Sequence, residues 1–220
     1  MKLAPNKTFL EMLKESGVHE IVLSEDRSKT EPPLDISESP SAWLKLRKET
    51  AACTQCSELA RTRHSVVFGS GNERAQLVFV GEAPGGEEDR QGLPFVGPAG
   101  QLLTKMIESI GLKREQVYIA NVLKCRPPGN RTPKPREIEN CEPYLAAQLS
   151  LIHPRLLCAL GNFAARTLLK TNAPISSLRG RVHDYHGIQV VCTFHPAYLL
   201  RNPSEKRKAW EDLKKVKSLL

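Results

Sequence analysis

The sequence predicts an α/β fold: a central four-stranded, mainly parallel sheet with helices on both faces. Two observations carry this. From about residue 76, short apolar runs alternate with segments of helical spacing. The chemically distinctive residues fall where those runs end. Alternation of this kind requires right-handed crossovers, which lay helices over both faces of the sheet.

The elements follow in order. QLVFVG (76–81) is a short apolar run closed by glycine, a buried strand. AGQLLTKMIESI (99–110) has helical spacing and stops at Gly111. VYIANV (117–122) is the second strand, and PREIENCEPYLAAQLSLI (135–152) is a helix opened by proline. RLLCALG (155–161) is the third strand, followed by the helix NFAARTLLK (162–170), with Asn162 as its cap. QVVCTF (189–194) is the fourth strand, and a last helix runs from about Ser204 to Leu219. Ser41 is placed to cap a helix through Trp43, Leu44 and Leu46 toward Cys53.

Residues 1–40 read as a poorly ordered extension and 41–220 as the folded domain. The stretch SEDRSKTEPPLDISESPS is rich in Ser, Pro and acid. Phe9, Leu10 and Leu13 can share one face of a short helix before it.

The chain of 220 residues is 40% hydrophobic and 25% charged, the mix of a soluble globular protein. No apolar run approaches the ~20 residues of a membrane span, and the N-terminus lacks the apolar core of a signal peptide. A cytoplasmic protein with no membrane partner is the expectation. Net charge is +8 and unevenly spread. Residues 1–50 hold eight Lys/Arg against nine Asp/Glu, and residues 51–220 hold 24 against 15, a balance of +9. A basic body suits a polyanion such as nucleic acid.

Ligands of parallel sheets bind beyond the carboxyl ends of the strands. Gly81-Glu82-Ala83-Pro84-Gly85, Asn121, Gly161 and His195-Pro196 all fall there, which points to one shared site. GEAPGGEEDRQGLPFVGPAG (81–100) is a long Gly/Pro-rich loop of the kind that often carries function. Its Phe95 either anchors the loop on the core or stacks on a flat base. Asn121 either satisfies backbone groups or reads a base edge, since an amide offers both donor and acceptor. Arg126, Arg131, Lys134 and Arg136 form a solvated face or a phosphate-contacting patch. Tyr198, Leu199 and Leu200 are too apolar for an ordinary exposed turn and suit a wedge entering a base stack.

In a reducing compartment six cysteines argue for ligation, not disulfides. Cys158 and Cys192 lie within apolar strands and read as core. Cys53 and Cys56 form C-x2-C, and with Cys125 and Cys141 they suit zinc or an iron–sulfur cluster.

Over residues 45–220 the chain resembles the iron–sulfur, thermostable-type (family 4) uracil-DNA glycosylases. The resemblance rests on GEAPG followed by PFVGPAG, on NVLKCRPPGNRTP, LGNFAARTLL, the LRG at 178–180, and HPAYLLRNPSEKRKAWEDL. It implies a three-layer α/β/α sandwich and a [4Fe–4S] cluster on Cys53, Cys56, Cys125 and Cys141. It also implies a monomer acting on uracil-containing DNA, single- or double-stranded. The uracil pocket would be lined by Gly81, Glu82, Glu88, Phe95, Asn121 and His195, with His195, Asn121 and Glu82 catalytic. Leu199 is the residue expected to intercalate. Related uracil glycosylases carry an aspartate directly after the residue matching Glu82, where this sequence has Ala83. The expected reaction flips uracil out of DNA, hydrolyses its N-glycosidic bond and leaves an abasic site.

Overall fold

The computed structural model describes residues 38–220. Its sheet has six strands: β1 (Ser70–Gly71), β2 (Leu77–Gly81), β3 (Tyr118–Asn121), β4 (Leu156–Leu160), β5 (Val182–Tyr185) and β6 (Ile188–Thr193), in the order β1-β3-β2-β4-β6-β5. The central β3, β2, β4 and β6 are parallel and are the four strands expected from the sequence. The outer β1 and β5 are antiparallel additions. They escape a reading based on apolar runs for a physical reason. β1 is two residues long, and in β5 only Tyr185 is buried. Edge strands need one covered face at most.

The helices are α1 (Glu38–Ala52), α2 (Ser57–Thr62), α3 (Gly86–Gln91), α4 (Pro98–Ser109), α5 (Pro135–Ile152), α6 (Gly161–Leu169), α7 (Ile175–Leu178), α8 (Pro196–Arg201) and α9 (Lys206–Leu219). α5 falls on the expected residues, while α4 and α6 are displaced by one. α1 begins before Ser41, so the expected cap is an interior helical residue. The last three residues of the expected extension, 38–40, belong to this helix. The short helix expected around Phe9 to Leu13 lies outside the described residues.

Every residue of β2, β3 and β4 is buried, as a sheet covered on both faces requires. Leu103 and Ile107 of α4, Leu145 and Leu149 of α5, and Leu213 and Val216 of α9 pack into the same core. Cys158 and Cys192 are fully buried in it. Burial pushes both thiols up, Cys192 to about 12, so neither is a nucleophile at neutral pH. The chain leaves β2 for β3 on one side and reaches β4 on the other. That reversal opens a crevice beyond Gly81, the usual ligand position in such sheets. Among the described residues no helix is long and apolar enough to cross a membrane.

Candidate active site

A cavity of about 420 Å³ opens at these strand ends, walled by Glu82, Glu88, Phe95, Asn121, His195 and Arg201 among others. Gly81 lies beneath it. A Cβ there would stand 2.3 Å from Asn121 Oδ1 and 2.6 Å from the Phe95 ring. Glycine thus lets the amide and the aromatic ring meet over the end of β2.

Asn121 ends β3 and is 1% exposed, yet its buried Oδ1 has no hydrogen-bond partner. An orphaned buried acceptor costs about 1–3 kcal/mol. A donor arriving with a ligand would remove that cost.

His195 caps α8. Ala197 N–H donates to its Nδ1 at 3.1 Å, which assigns the proton to Nε2. Burial, reinforced by the nearby Arg201 guanidinium and opposed by Glu88, lowers its pKa to about 4. His195 is therefore a neutral ring at physiological pH, with its Nε2–H left to donate. Pro196 at the first helical position fixes the turn that presents it.

Phe95 packs 5.6 Å from the His195 ring with its backbone in the left-handed region, φ +52°. That conformation costs a non-glycine residue on the order of 1–3 kcal/mol and is typical of functional sites. Gly100 makes it sterically feasible, since a Cβ at 100 would sit 1.9 Å from the Phe95 carbonyl oxygen. Glu88 lines the cavity, and both its oxygens already accept backbone N–H groups. Gly85 N–H donates to its Oε2 at 3.1 Å, and Val96 and Gly97 N–H donate to Oε1 at 2.9 and 3.0 Å. Its carboxylate clamps both ends of the 85–97 loop and shapes the wall. The segment expected to be wholly loop contains α3, which starts at Gly86 with the Glu88 side chain accepting from the Gly85 N–H. Glu82 is partly buried, and desolvation raises its carboxyl to about 7.

The family model of the uracil DNA glycosylase superfamily matches residues 68–214. A type-4 uracil-DNA glycosylase of Archaeoglobus fulgidus is 45% identical over 180 residues, 78% of this chain and 90% of the relative. That of Thermotoga maritima is 47% identical over 172 residues, 76% and 89% of the two chains. That of Sulfurisphaera tokodaii is 41% identical over 184 residues, 80% and 83%. This chain belongs to the type-4 uracil-DNA glycosylases.

In this type-4 family member the cysteines expected to ligate lie together. Cys125 and Cys141 share a small buried cluster with Leu59 and Leu123, and Cys56 packs against it. Burial pushes the Cys125 thiol up and the Cys141 thiol to about 11. Among the described residues no group of three or more His, Cys, Asp or Glu is placed to hold a metal ion. Four cysteine sulfurs are a donor set that suits either zinc or an iron–sulfur cluster. The donors around it support the fit: Arg63 Nη1 donates to Cys125 Sγ at 3.2 Å, and Lys124 N–H to Cys141 Sγ at 3.2 Å. Hydrogen bonds to sulfur stabilise the thiolate.

Two expectations for the DNA face change. Leu199, the expected intercalating residue, is 1% exposed and part of the core, whereas Leu200 is 43% exposed. The apolar stretch is the helix α8, so adjacent leucines point in different directions. Leu199 cannot enter a duplex without unpacking the core. The basic loop is also partly spent. Arg131 pairs with Glu137 at 2.6 Å and Glu58 at 2.9 Å, and Lys134 with Glu58 at 2.7 Å.

The sequence alone assigns no role to Arg201, Arg63 or Arg179. Arg179 of the LRG motif donates to buried Asp212 at 3.0 Å, and Thr193 at the end of β6 bonds the same oxygen at 2.9 Å. The arginine lies over the Phe194 ring, 5.2 Å from its centroid, immediately before His195. Nothing in a linear pattern marks such a three-element contact.

Proposed function

We propose that the cavity receives a uracil flipped out of DNA and that Asn121 and His195 act on opposite parts of it. The chain is a uracil-DNA glycosylase, a base-excision-repair hydrolase of N-glycosyl bonds. The observation that carries the site assignment is the buried, unpartnered amide oxygen of Asn121, a residue that lines the cavity together with a neutral histidine. Uracil N3–H supplies the donor this oxygen lacks. Cytosine presents an acceptor there, so an amide held in one orientation rejects it. Phe95 forms the wall on which the flat base stacks.

As the N-glycosidic bond breaks, its electron pair moves onto uracil and positive character develops on the sugar. His195 Nε2–H donates to the developing anion. The Glu82 carboxylate stabilises the cationic sugar and orients the attacking water. The hydroxyl of water goes to the sugar carbon and its proton to the departing base. Ala83 has no polar side chain, which leaves Glu82 to orient the water. Leu200 and Tyr198, both exposed on α8, are the groups that fill the space left in the stack.

We further infer that Cys53, Cys56, Cys125 and Cys141 hold a [4Fe–4S] cluster. When bound it supplies a cross-link and no redox step. It ties the segment between α1 and α2 to the turn after β3 and to α5.

The testing experiment incubates the protein with matched oligonucleotides containing one uracil, one thymine or one cytosine, and with free deoxyuridine monophosphate. Free uracil from the first substrate alone supports the reading. Release from the nucleotide but not from DNA contradicts it.

A further inference from the structure

Lys124 follows the base-reading strand and is 1% exposed, a buried ammonium. Its Nζ donates to Asn121 O at 2.9 Å and to Gln148 Oε1 at 2.6 Å, both neutral oxygens. It forms no ion pair with a carboxylate among the described residues. A charge left so in an apolar interior is strongly unfavourable unless another group compensates it.

Two features compensate it. Gln148 is fully buried and anchored in turn: its Nε2 donates to Phe68 O at 2.9 Å and to Tyr118 Oη at 3.2 Å. The ammonium is thus one link in a rigid chain from the core to the main chain of Asn121. The second feature is the sulfur site. Lys124 N–H bonds Cys141 Sγ, the next residue is Cys125, and Cys141 and Gln148 share the inner face of α5. Cys125 and Cys141 would hold the cluster as thiolates, and their negative charge would favour a cation buried on the neighbouring residue.

We propose that Lys124 is a positioning residue that serves both sites: it pins the backbone of Asn121 so that the amide faces the base, and it supplies positive charge beside the thiolates of Cys125 and Cys141. One side chain thereby makes base reading and cluster retention interdependent. This rests on the uracil-reading role of Asn121 proposed above.

The test uses the cluster-loaded protein and Lys124→Met, alone and in an Asn121→Ala background. Methionine keeps the volume and removes the charge. Single-turnover uracil release should fall on the order of 10²-fold, the usual consequence of a group displaced by about 1 Å. DNA affinity should stay within a few-fold. In the Asn121→Ala background the further loss should be small, since the group being positioned is gone. The visible absorbance of the cluster should bleach faster under an iron chelator. An unchanged release rate, an equal loss in both backgrounds, or a cluster as durable as the wild type's overturns the proposal. If Lys124→Met does not fold, Gln148→Leu replaces it, keeping the ammonium and removing its anchor. The same dependence on Asn121 is expected, and an additive loss overturns the proposal. An inactive wild type would instead overturn the functional reading itself. An active wild type with an indifferent Lys124→Met overturns only the role of Lys124.

Discussion

His195 and Glu82 share a pocket, and burial moves them in opposite directions. His195 is held down to about 4 and Glu82 up to about 7. The histidine therefore stays a neutral donor through the physiological range, and any acid limb in the rate belongs to Glu82. Uracil release should rise with pH through an inflection near 7 and lose that inflection in Glu82→Gln. An inflection that survives the substitution would assign it elsewhere. Stability carries the same signature. The folded-state pKa of Glu82 lies above its ordinary 4.5, so the native state holds the proton more tightly and stability falls as pH rises from 4.5 to 7. Denaturant melts should show Glu82→Gln gaining on the wild type between pH 5 and pH 8. His195→Ala removes one preorganised donor and should slow single-turnover release on the order of 10²–10³-fold. Gly81→Ala drives a methyl into Asn121 and Phe95 together. It should cost a comparable factor with DNA affinity nearly intact, measured on the same oligonucleotide. At this scale the sequence was informative where residue type and position coincide: Asn121 and His195 stand at strand ends and line the pocket. It was silent on Lys124 and Arg179, whose partners lie on distant elements.

Elements explain the correction on α8. Adjacent leucines in a six-residue segment give no period to read, so sequence alone leaves open which one faces inward. The His-Pro pair was the available signal, since it reads as a cap followed by proline at the first helical position. Recognising the helix separates Leu199 from Leu200. Leu200→Ala should slow release from duplex DNA more than from single strands, where no stack needs filling. Leu199→Ala should instead lower stability by about 2–5 kcal/mol, as buried leucines do, read from urea denaturation. Equal effects of Leu200→Ala on both substrates would remove it as the wedge. The four central strands were legible because each is a short, mostly apolar run. β1 and β5 were not, being short or half-exposed edges. α3 was hidden within a Gly-rich stretch, and its start depends on the Glu88 clamp more than on helix propensity.

For the whole molecule, the basic charge and the site lie in the same region, residues 51–220. The balance of +9 over residues 51–220 makes phosphate neutralisation the main source of DNA affinity. Affinity should therefore fall steeply with salt. Arg131 and Arg201 both line the pocket, but Arg131 is already paired with two glutamates, so its removal should change the salt dependence less than removal of Arg201. Grip on the strand is thus distinct from reading of the base, which resides in Asn121. The most direct measurement is single-turnover uracil release by Asn121→Ala, with DNA affinity determined on the same oligonucleotide. The expected result is a loss of on the order of 10²–10³ in rate, with affinity within a few-fold of the wild type. A rate equal to the wild type's would show that base reading resides elsewhere.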